Sequence, residues 1–208
     1  MTEGRTSEKS LRPEVELRVV LGSTSSPGRL HRALAEAIER GAARGTAADL
    51  LDLGTVQIGF ADGSDPNTLD DDTAATITSV ESAPALIIAT PVYRGSMTGA
   101  LKNLFDVLPV TALQGKVVGL VAMGASDHHF LGAERHLRDV LAFFGAIVMP
   151  VGVYLSSGDF ADGVPGGRAA QELDELIAAT VAGADALADV MAIKGLAPLA
   201  ARAIKARG

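Results

Sequence analysis

Residues 85–108 read ALIIATPVYRGSMTGALKNLFDVL, and this stretch indicates how the chain folds. The apolar run from Ala85 to Ala89 predicts a buried strand that stops at Thr90–Pro91. A polar loop follows, and from Met97 onwards apolar residues recur at helical spacing, which predicts a helix with one buried face. In an open α/β sheet, a loop at the carboxyl end of a strand is where ligands bind. An ordinary connection between a strand and a helix remains the alternative.

The same alternation of strands and helices runs through the chain. Strands are expected at residues 15–21, 47–53, 85–89, 116–123 and 146–155, and helices at 29–44, 69–81, 97–108, 131–144 and 169–192. Five such units predict an α/β fold with a parallel sheet and helices on both of its faces. Pro150 predicts an edge position or a bulge for the fifth strand, because proline cannot donate a ladder hydrogen bond. Residues 156–167 contain five glycines or prolines and are expected to form a loop.

Length and composition limit the possible functions. The 208 residues suit one domain, expected over residues 15–192, between a disordered lead-in (1–14) and a tail (193–208). No apolar run approaches the ~20 residues of a membrane span, and the charged amino end lacks the apolar core of a signal peptide. Without cysteine, disulfides and thiolate chemistry are excluded, and the cytoplasm is the expected location. A net charge of −7 argues against a nucleic-acid surface.

The first predicted βα loop, GSTSSPGR at residues 22–29, has the chemistry of a phosphate site. It lacks the GK[ST] ending of a Walker loop and the glycine spacing of the dinucleotide fingerprint. Its hydroxyl side chains are hydrogen-bond donors, and Gly28 lets the backbone approach a ligand closely. The amino end of the next helix attracts anions, and Arg29 adds a charged donor. The alternative is a serine-rich turn that only caps the helix.

Two further loops are expected at the same edge of the sheet. TPVYRGS at residues 90–96 supplies an aromatic ring and several amides, and MGASDHH at residues 123–129 supplies the small residues Gly124 and Ala125. Small residues let a flat ligand lie against the backbone. Together with a phosphate site, amides and an aromatic ring, they suit a mononucleotide with a planar base, and flavin mononucleotide (FMN) fits well. Tyr93 could also be an ordinary surface tyrosine.

Other chemistries find little support in the sequence. Of the four histidines, only His129 and His136 share a predicted helix face, and no third ligand lies at a suitable spacing, so a metal site is not expected. The G-x-S-x-G nucleophile elbow of hydrolases is missing, and no loop carries paired catalytic carboxylates. Such a low demand for reactive side chains is typical of a protein whose cofactor carries the reaction.

The motifs GSTSSPGR and TPVYRGSMTGALKNLFDVL resemble those of the NADPH-dependent FMN reductases, over roughly residues 17–155. The longer motif is similar to the family pattern P-x-Y-x-x-S-x-x-G-x-L-K-N. Within the family, the chain looks most similar to the flavin reductases that supply reduced FMN to two-component monooxygenases, such as those that desulfonate alkanesulfonates. His129 stands where that subgroup tends to have a histidine. The resemblance implies a flavodoxin-like sheet of five parallel strands in the order 2-1-3-4-5, and a homodimer or homotetramer.

The resemblance also implies site residues and a reaction. Hydride would pass from NADPH or NADH to FMN, and no side chain would act as an acid or a base. The residues expected to hold the FMN phosphate are Ser23, Ser25, Gly28, Arg29 and Leu30. Those expected to line the flavin ring are Pro91, Val92, Tyr93, Arg94, Gly95 and Gly124. For Lys102, Asn103 and Asp106, packing or an oligomer interface is expected.

Two departures from the family pattern leave alternatives open. Leu30 stands where the family commonly has serine or threonine, so only its backbone can serve the phosphate. Arg135 and His136 stand near the position of a tyrosine that the alkanesulfonate branch links to flavin exchange. FMN could therefore be a substrate, or a retained cofactor of a quinone or azo-compound reductase. A flavodoxin-type electron carrier is a further alternative, although Arg29 and Arg94 are unusual for the acidic surroundings of a carrier's flavin.

Overall fold

The computed structural model describes residues 16–25, 27–127 and 130–191. The predictions of a disordered lead-in, a C-terminal tail and a role for His129 fall outside this part of the chain, and so does Ser26 of the first loop. The single domain expected over residues 15–192 stays a prediction, and all of the described residues lie within it.

The helices and strands follow the predicted alternation. The strands are β1 (Leu17–Leu21), β2 (Ala48–Asp52), β3 (Ala85–Pro91), β4 (Val117–Met123), β5 (Ile147–Val148), β6 (Val153–Leu155), β7 (Phe160–Ala161) and β8 (Val164–Pro165). The helices are α1 (Arg29–Ala42), α2 (Thr73–Ser82), α3 (Gly99–Val107), α4 (Phe130–Phe143) and α5 (Gly167–Met191). Within the described ranges, none of these helices is long and apolar enough to cross a membrane.

The main sheet is parallel and has the strand order β2-β1-β3-β4-β5, with β6 also paired to β4. This order confirms the predicted flavodoxin-like arrangement. Strand β3 lies at the centre, with Leu17 opposite its Ala85 on one side and Val117 opposite the same residue on the other. All seven residues of β3 are buried, as expected for a strand covered on both faces.

The fifth strand lies at the edge of the sheet, one of the two outcomes that Pro150 predicted, and it is broken into two pieces. Residues 149–152 separate β5 from β6, and both pieces pair with β4. A guanidinium nitrogen of Arg138 donates to the carbonyl oxygens of Met149 and Pro150, at 2.9 Å and 3.0 Å. These bonds occupy carbonyl groups that leave the ladder at the break.

The core has two layers, one on each face of the sheet. Helices α1 and α5 cover one face, where Leu34, Leu173 and Ile177 pack on the sheet. Helices α2, α3 and α4 cover the other face through Ile77, Leu104, Leu137 and other apolar side chains. Both layers are continuous from strand to strand, so the sheet forms a rigid support for the loops at its carboxyl edge.

Two local predictions needed correction. Helix α2 begins at Thr73 and not at Leu69, because the aspartates before it bind backbone N–H groups: Asp71 accepts from Thr73 and Asp72 from Gln57, both at 2.8 Å. The segment expected to be a loop at residues 156–167 contains a short 3₁₀ turn and the hairpin β7–β8. Asp162 and Gly163 turn this hairpin with positive φ angles of 52° and 79°.

Candidate functional site

The loops after β1, β3 and β4 leave the sheet at one edge. The first residue beyond each strand is tied to the neighbouring strand by its N–H group. Gly22 donates to Ala89 at 2.7 Å, Val92 to Met123 at 2.8 Å and Gly124 to Leu155 at 2.9 Å. The structure therefore brings together three loops that lie far apart in the sequence, as the predicted parallel sheet required.

The loop after β1 leads into the amino end of α1. Gly28 precedes the first helical residue with extended dihedral angles, and no side chain among the described residues caps the helix there. The first turn of a helix has N–H groups without an intrahelical partner, and they favour an anion. Leu30 is buried, so only its backbone faces this end of the helix.

Serine side chains of this loop lie beside the helix terminus. Ser23 is half-buried, and its hydroxyl accepts a hydrogen bond from the N–H of Ser25 at 3.3 Å. Ser25 is exposed. The loop thus offers hydroxyl and N–H groups at a helix terminus that none of the described side chains caps, and this arrangement suits a phosphate. Direct contacts of Ser23, Ser25, Gly28, Arg29 and Leu30 with a phosphate stay predictions.

Arg29, the first residue of α1, is held by a part of the chain to which the sequence assigned no role. A terminal nitrogen of its guanidinium donates to the Ser157 hydroxyl at 3.1 Å. The central carbon of the guanidinium lies 5.4 Å from the centre of the Phe160 ring, within the range of a cation–π contact. The segment after β6 therefore contributes to the site together with the loops after β1, β3 and β4.

The loop after β3 is a tight turn that projects from the edge of the sheet. Tyr93 and Ser96 exchange two backbone hydrogen bonds, at 2.9 Å and 3.0 Å. Between them, Arg94 and Gly95 both have positive φ angles, 54° and 76°. Pro91 is buried, Val92 is half-buried, and Tyr93 and Arg94 are exposed. The turn presents the Tyr93 and Arg94 side chains to solvent at the edge of the sheet where the flavin ring is expected.

Helix α4 supports this turn from the side. His136 Nδ1 lies 2.9 Å from the Ser96 hydroxyl. Gly132 packs so closely that a Cβ atom there would lie 2.7 Å from the Gly95 carbonyl oxygen. The turn is thus fixed by α4 as well as by the sheet.

The first two loops are joined by Thr98. Its side chain accepts a hydrogen bond from the N–H of Leu101 at 3.1 Å, which caps α3, and its hydroxyl donates to the Gly22 carbonyl. Gly22 itself lies against α3, since a Cβ atom there would be 2.7 Å from the Leu101 Cβ. A movement of α3 would therefore be transmitted to both loops.

In the loop after β4, Gly124 has a packing role. A Cβ atom at this position would lie 2.0 Å from the Tyr154 hydroxyl, which donates to the Ser126 carbonyl at 2.7 Å. Burial, with a smaller effect from the Asp127 charge, raises the pKa of Tyr154, so the phenol stays protonated and able to donate at neutral pH. The tyrosine takes the space behind the glycine, and a contact between Gly124 and the flavin stays a prediction.

Several of these residues could not be recognised from local sequence patterns. Ser157, Phe160, Thr98 and His136 act across the fold. Asn103, from the family motif, holds the loop after β2: it accepts from the Ala61 N–H at 3.0 Å and donates to the Gly59 carbonyl at 2.9 Å. Lys102 and Asp106 form an ion pair one helical turn apart. The expectation of packing or an oligomer interface for these three residues stays a prediction, and the contacts of Asn103 within the chain favour packing.

The described residues hold no cluster of three or more histidines, aspartates and glutamates suited to a metal ion. His31 lies 3.6 Å from the buried Asp52 carboxylate, and the Gly54 N–H donates to the same carboxylate at 2.8 Å. This contact ties α1 to the end of β2.

The fold and the loops at its edge define a flavodoxin-like α/β protein with the features of a mononucleotide site. Residues 15–161 match the sequence pattern of the NADPH-dependent FMN reductases. Because this match covers more than half of the chain, the protein belongs to that family.

Individual relatives of this chain are named as flavin reductases. The chain is 42% identical over 111 residues to an NAD(P)H-dependent FAD/FMN reductase of Geobacillus thermodenitrificans (strain NG80-2), and the alignment covers 53% of this chain and 60% of that protein. It is 35% identical over 147 residues to the NADH-dependent FMN reductase SfnF of Pseudomonas putida, with 68% of this chain and 77% of that protein covered.

A solved structure supports the fold. The apo form of an NADH:FMN oxidoreductase, EMOB, superposes with a TM-score of 0.66 at 24% identity, over 80% of this chain and 88% of that one. At this level of identity the similarity establishes the fold alone.

Proposed function

We propose that the protein is an NAD(P)H-dependent FMN reductase, which transfers hydride from NADPH or NADH to FMN. The observation that carries the proposal is the amino end of α1, which no described side chain caps, with Arg29 and the serine hydroxyls beside it, at the same edge as the Tyr93–Ser96 turn. FMN has a phosphate at one end and a planar ring at the other, and these two features of the edge match its two ends. Membership of the family supports the same reading.

In this reading, the side chains bind and orient, and the flavin supplies the redox chemistry when it is bound. The first turn of α1 and Arg29 hold the phosphate, since N–H donors and a guanidinium favour an anion. The exposed Tyr93 and the backbone of the turn contact the ring. Fixing the two reactants in a suitable geometry is the main contribution that such a site makes to the rate.

We further propose that the reduced FMN serves a partner flavin-dependent monooxygenase, as the motif resemblance implies. A homodimer or homotetramer is also proposed, because the apolar side chains of Phe143 and Val151 are 54% and 76% exposed in the single chain. A cytoplasmic location stays a prediction from the sequence.

Flavin retention and turnover test the proposal. The purified, desalted protein would be examined by visible absorption, titrated with FMN, and assayed for NADPH and NADH oxidation with and without added FMN. Colourless protein that needs added FMN for turnover supports a flavin-supplying reductase. Yellow protein with about one FMN per chain favours the reductase that retains FMN and uses quinone or azo acceptors. Turnover close to zero despite FMN binding indicates an electron carrier, and absence of binding contradicts all three.

A pair of variants makes the test specific. Arg29→Gln should weaken FMN binding roughly tenfold, because it removes a charge-assisted contact. Arg44→Gln is the matched control: Arg44 lies beyond the other end of α1 and pairs with Asp174 at 2.8 Å. If both variants bind FMN as well as the unaltered protein does, the phosphate site is wrongly placed.

A further inference from the structure

The segment between β6 and α5 presents Arg29 to the first loop. Ser157 accepts a hydrogen bond from the Arg29 guanidinium, and the Phe160 ring lies beside the guanidinium's central carbon. The hydrogen bond joins residues 128 positions apart. Phe160 is half-buried and Ser157 is exposed, so both contacts are at the rim of the site and not in the core.

The two contacts leave N–H donors of the Arg29 guanidinium available to bind an anion. A cation–π contact takes up none of the hydrogen-bond donors of the guanidinium, whose N–H groups donate in the plane of the group. The hydrogen bond to Ser157 uses one of five such donors. A phosphate binds the in-plane edge through two parallel hydrogen bonds. An arginine held in this way loses less conformational entropy on binding than a freely rotating one.

The segment that carries Ser157 and Phe160 is itself fixed. One carboxylate oxygen of Asp159 accepts from the N–H and the hydroxyl of Ser156, at 2.7 Å and 3.1 Å, and the other accepts from Arg168. The N–H of Gly166 donates to the Asp159 carbonyl at 2.7 Å, and the hairpin β7–β8 lies between these residues. Because its charge is balanced by Arg168, Asp159 does not compete with a phosphate for Arg29.

We propose that Ser157 and Phe160 are positioning residues that orient the Arg29 guanidinium toward the phosphate monoester of FMN. This inference rests on the proposed function. A phosphate monoester is also present at the ribose of NADPH. FMN is the better match, because Arg29 is the first residue of α1 and lies at the same helix terminus as the first loop.

The test compares FMN with riboflavin, which lacks the phosphate, on the full-length chain. Dissociation constants would be measured by quenching of flavin fluorescence for the unaltered protein and for Phe160→Leu, Phe160→Tyr and Ser157→Ala. Phe60→Leu is the matched control, since Phe60 is an exposed phenylalanine in the segment after β2. KM values for NADPH and NADH would be measured for the same proteins with FMN at a saturating concentration. Urea unfolding confirms that each variant folds.

Phe160→Leu should raise the FMN dissociation constant about 3- to 10-fold, as expected for a lost cation–π contact, and change riboflavin binding less than about twofold. Phe160→Tyr, which keeps the ring, should restore FMN binding, and Ser157→Ala should have a smaller effect of the same kind.

Equal weakening of FMN and riboflavin binding would overturn the inference, and so would unchanged binding of both. A rise in KM for NADPH alone would assign Arg29 to the nucleotide phosphate and overturn it too. Failure of the unaltered protein to bind any flavin would instead refute the proposed function.

Discussion

Arg94 occupies a backbone conformation that arginine rarely adopts. Its φ of 54° lies in the left-handed region, and Gly95 follows with 76°, which together form the kind of turn that favours asparagine and glycine. A side chain other than glycine pays about 1 kcal/mol or more for this conformation. An unfavourable conformation at an exposed loop next to a candidate site points to a role for the side chain.

A comparison of Arg94→Gly with Arg94→Ala separates the backbone strain at this position from the contribution of the arginine side chain to FMN binding. The glycine variant should be about 1 kcal/mol more stable to urea unfolding than Arg94→Ala, because glycine adopts positive φ without a steric cost. Both variants lose the guanidinium, so both should bind FMN more weakly than the unaltered protein if Arg94 lines the ring as predicted. Equal stability of the glycine and alanine variants would show that the turn is unstrained.

At the scale of single elements, the start of α3 joins two loops through one side chain. Thr98 is 4% exposed, caps the helix and donates to Gly22. Its N–H also donates to the Thr90 hydroxyl at 3.3 Å, at the end of β3. The helix terminus, the central strand and the first loop are therefore one hydrogen-bonded unit.

Thr98→Val should destabilise the protein by about 1–2 kcal/mol, because it removes a helix cap and leaves the buried Gly22 carbonyl without its donor. Thr98→Ser keeps the hydroxyl and should retain most of the stability. Urea unfolding of the two variants gives the difference. A valine variant as stable as the serine variant would mean that water replaces both hydrogen bonds.

The turn Ser156–Asp159 should make the stability of the protein depend on pH. Burial raises the pKa of Asp159, but the hydrogen bonds from Ser156 and the charge and hydrogen bond of Arg168 together outweigh it, so the pKa lies below its usual range. The unfolded chain then binds the proton more tightly than the folded one. The stabilisation is present above the unfolded pKa, about 4, and is lost as the pH falls through that value towards the folded pKa.

Asp159→Asn removes this titration. Its loss of stability relative to the unaltered protein should be largest near neutral pH and should shrink below about pH 4. Urea unfolding between pH 7 and pH 3 measures it, with Asp189→Asn, an exposed carboxylate on α5, as the control. A deficit that stays constant with pH would show that the turn does not depend on the Asp159 charge.

At the scale of the whole molecule, the sequence was informative where structure depends on local patterns. Buried strands and amphipathic helices repeat along the chain, and this repetition predicted the parallel sheet, while Pro150 was consistent with the edge position of its last strand. The contacts that shape the site are of another kind. Arg29 meets Ser157 across 128 residues and Thr98 meets Gly22 across 76, so their pairing depends on how the layers pack and not on any local pattern. The loops at the edge could therefore be found from sequence, but not the side chains that orient them.

Ligand binding should stabilise the whole domain, because a ligand that binds only the folded state shifts the unfolding equilibrium. At a free concentration 100 times its dissociation constant, FMN should contribute about 2.7 kcal/mol, or roughly 5–10 °C in melting temperature for a chain of this size. Riboflavin at the same concentration should contribute clearly less, because it has no phosphate to bind the amino end of α1 and Arg29. Added salt should reduce the difference in stabilisation between FMN and riboflavin, since it weakens the attraction of the phosphate to these groups. Differential scanning fluorimetry over a concentration series of each ligand measures both effects. Equal shifts by FMN and riboflavin would mean that the loop after β1 does not hold the phosphate, even if the protein proves to be a flavin reductase.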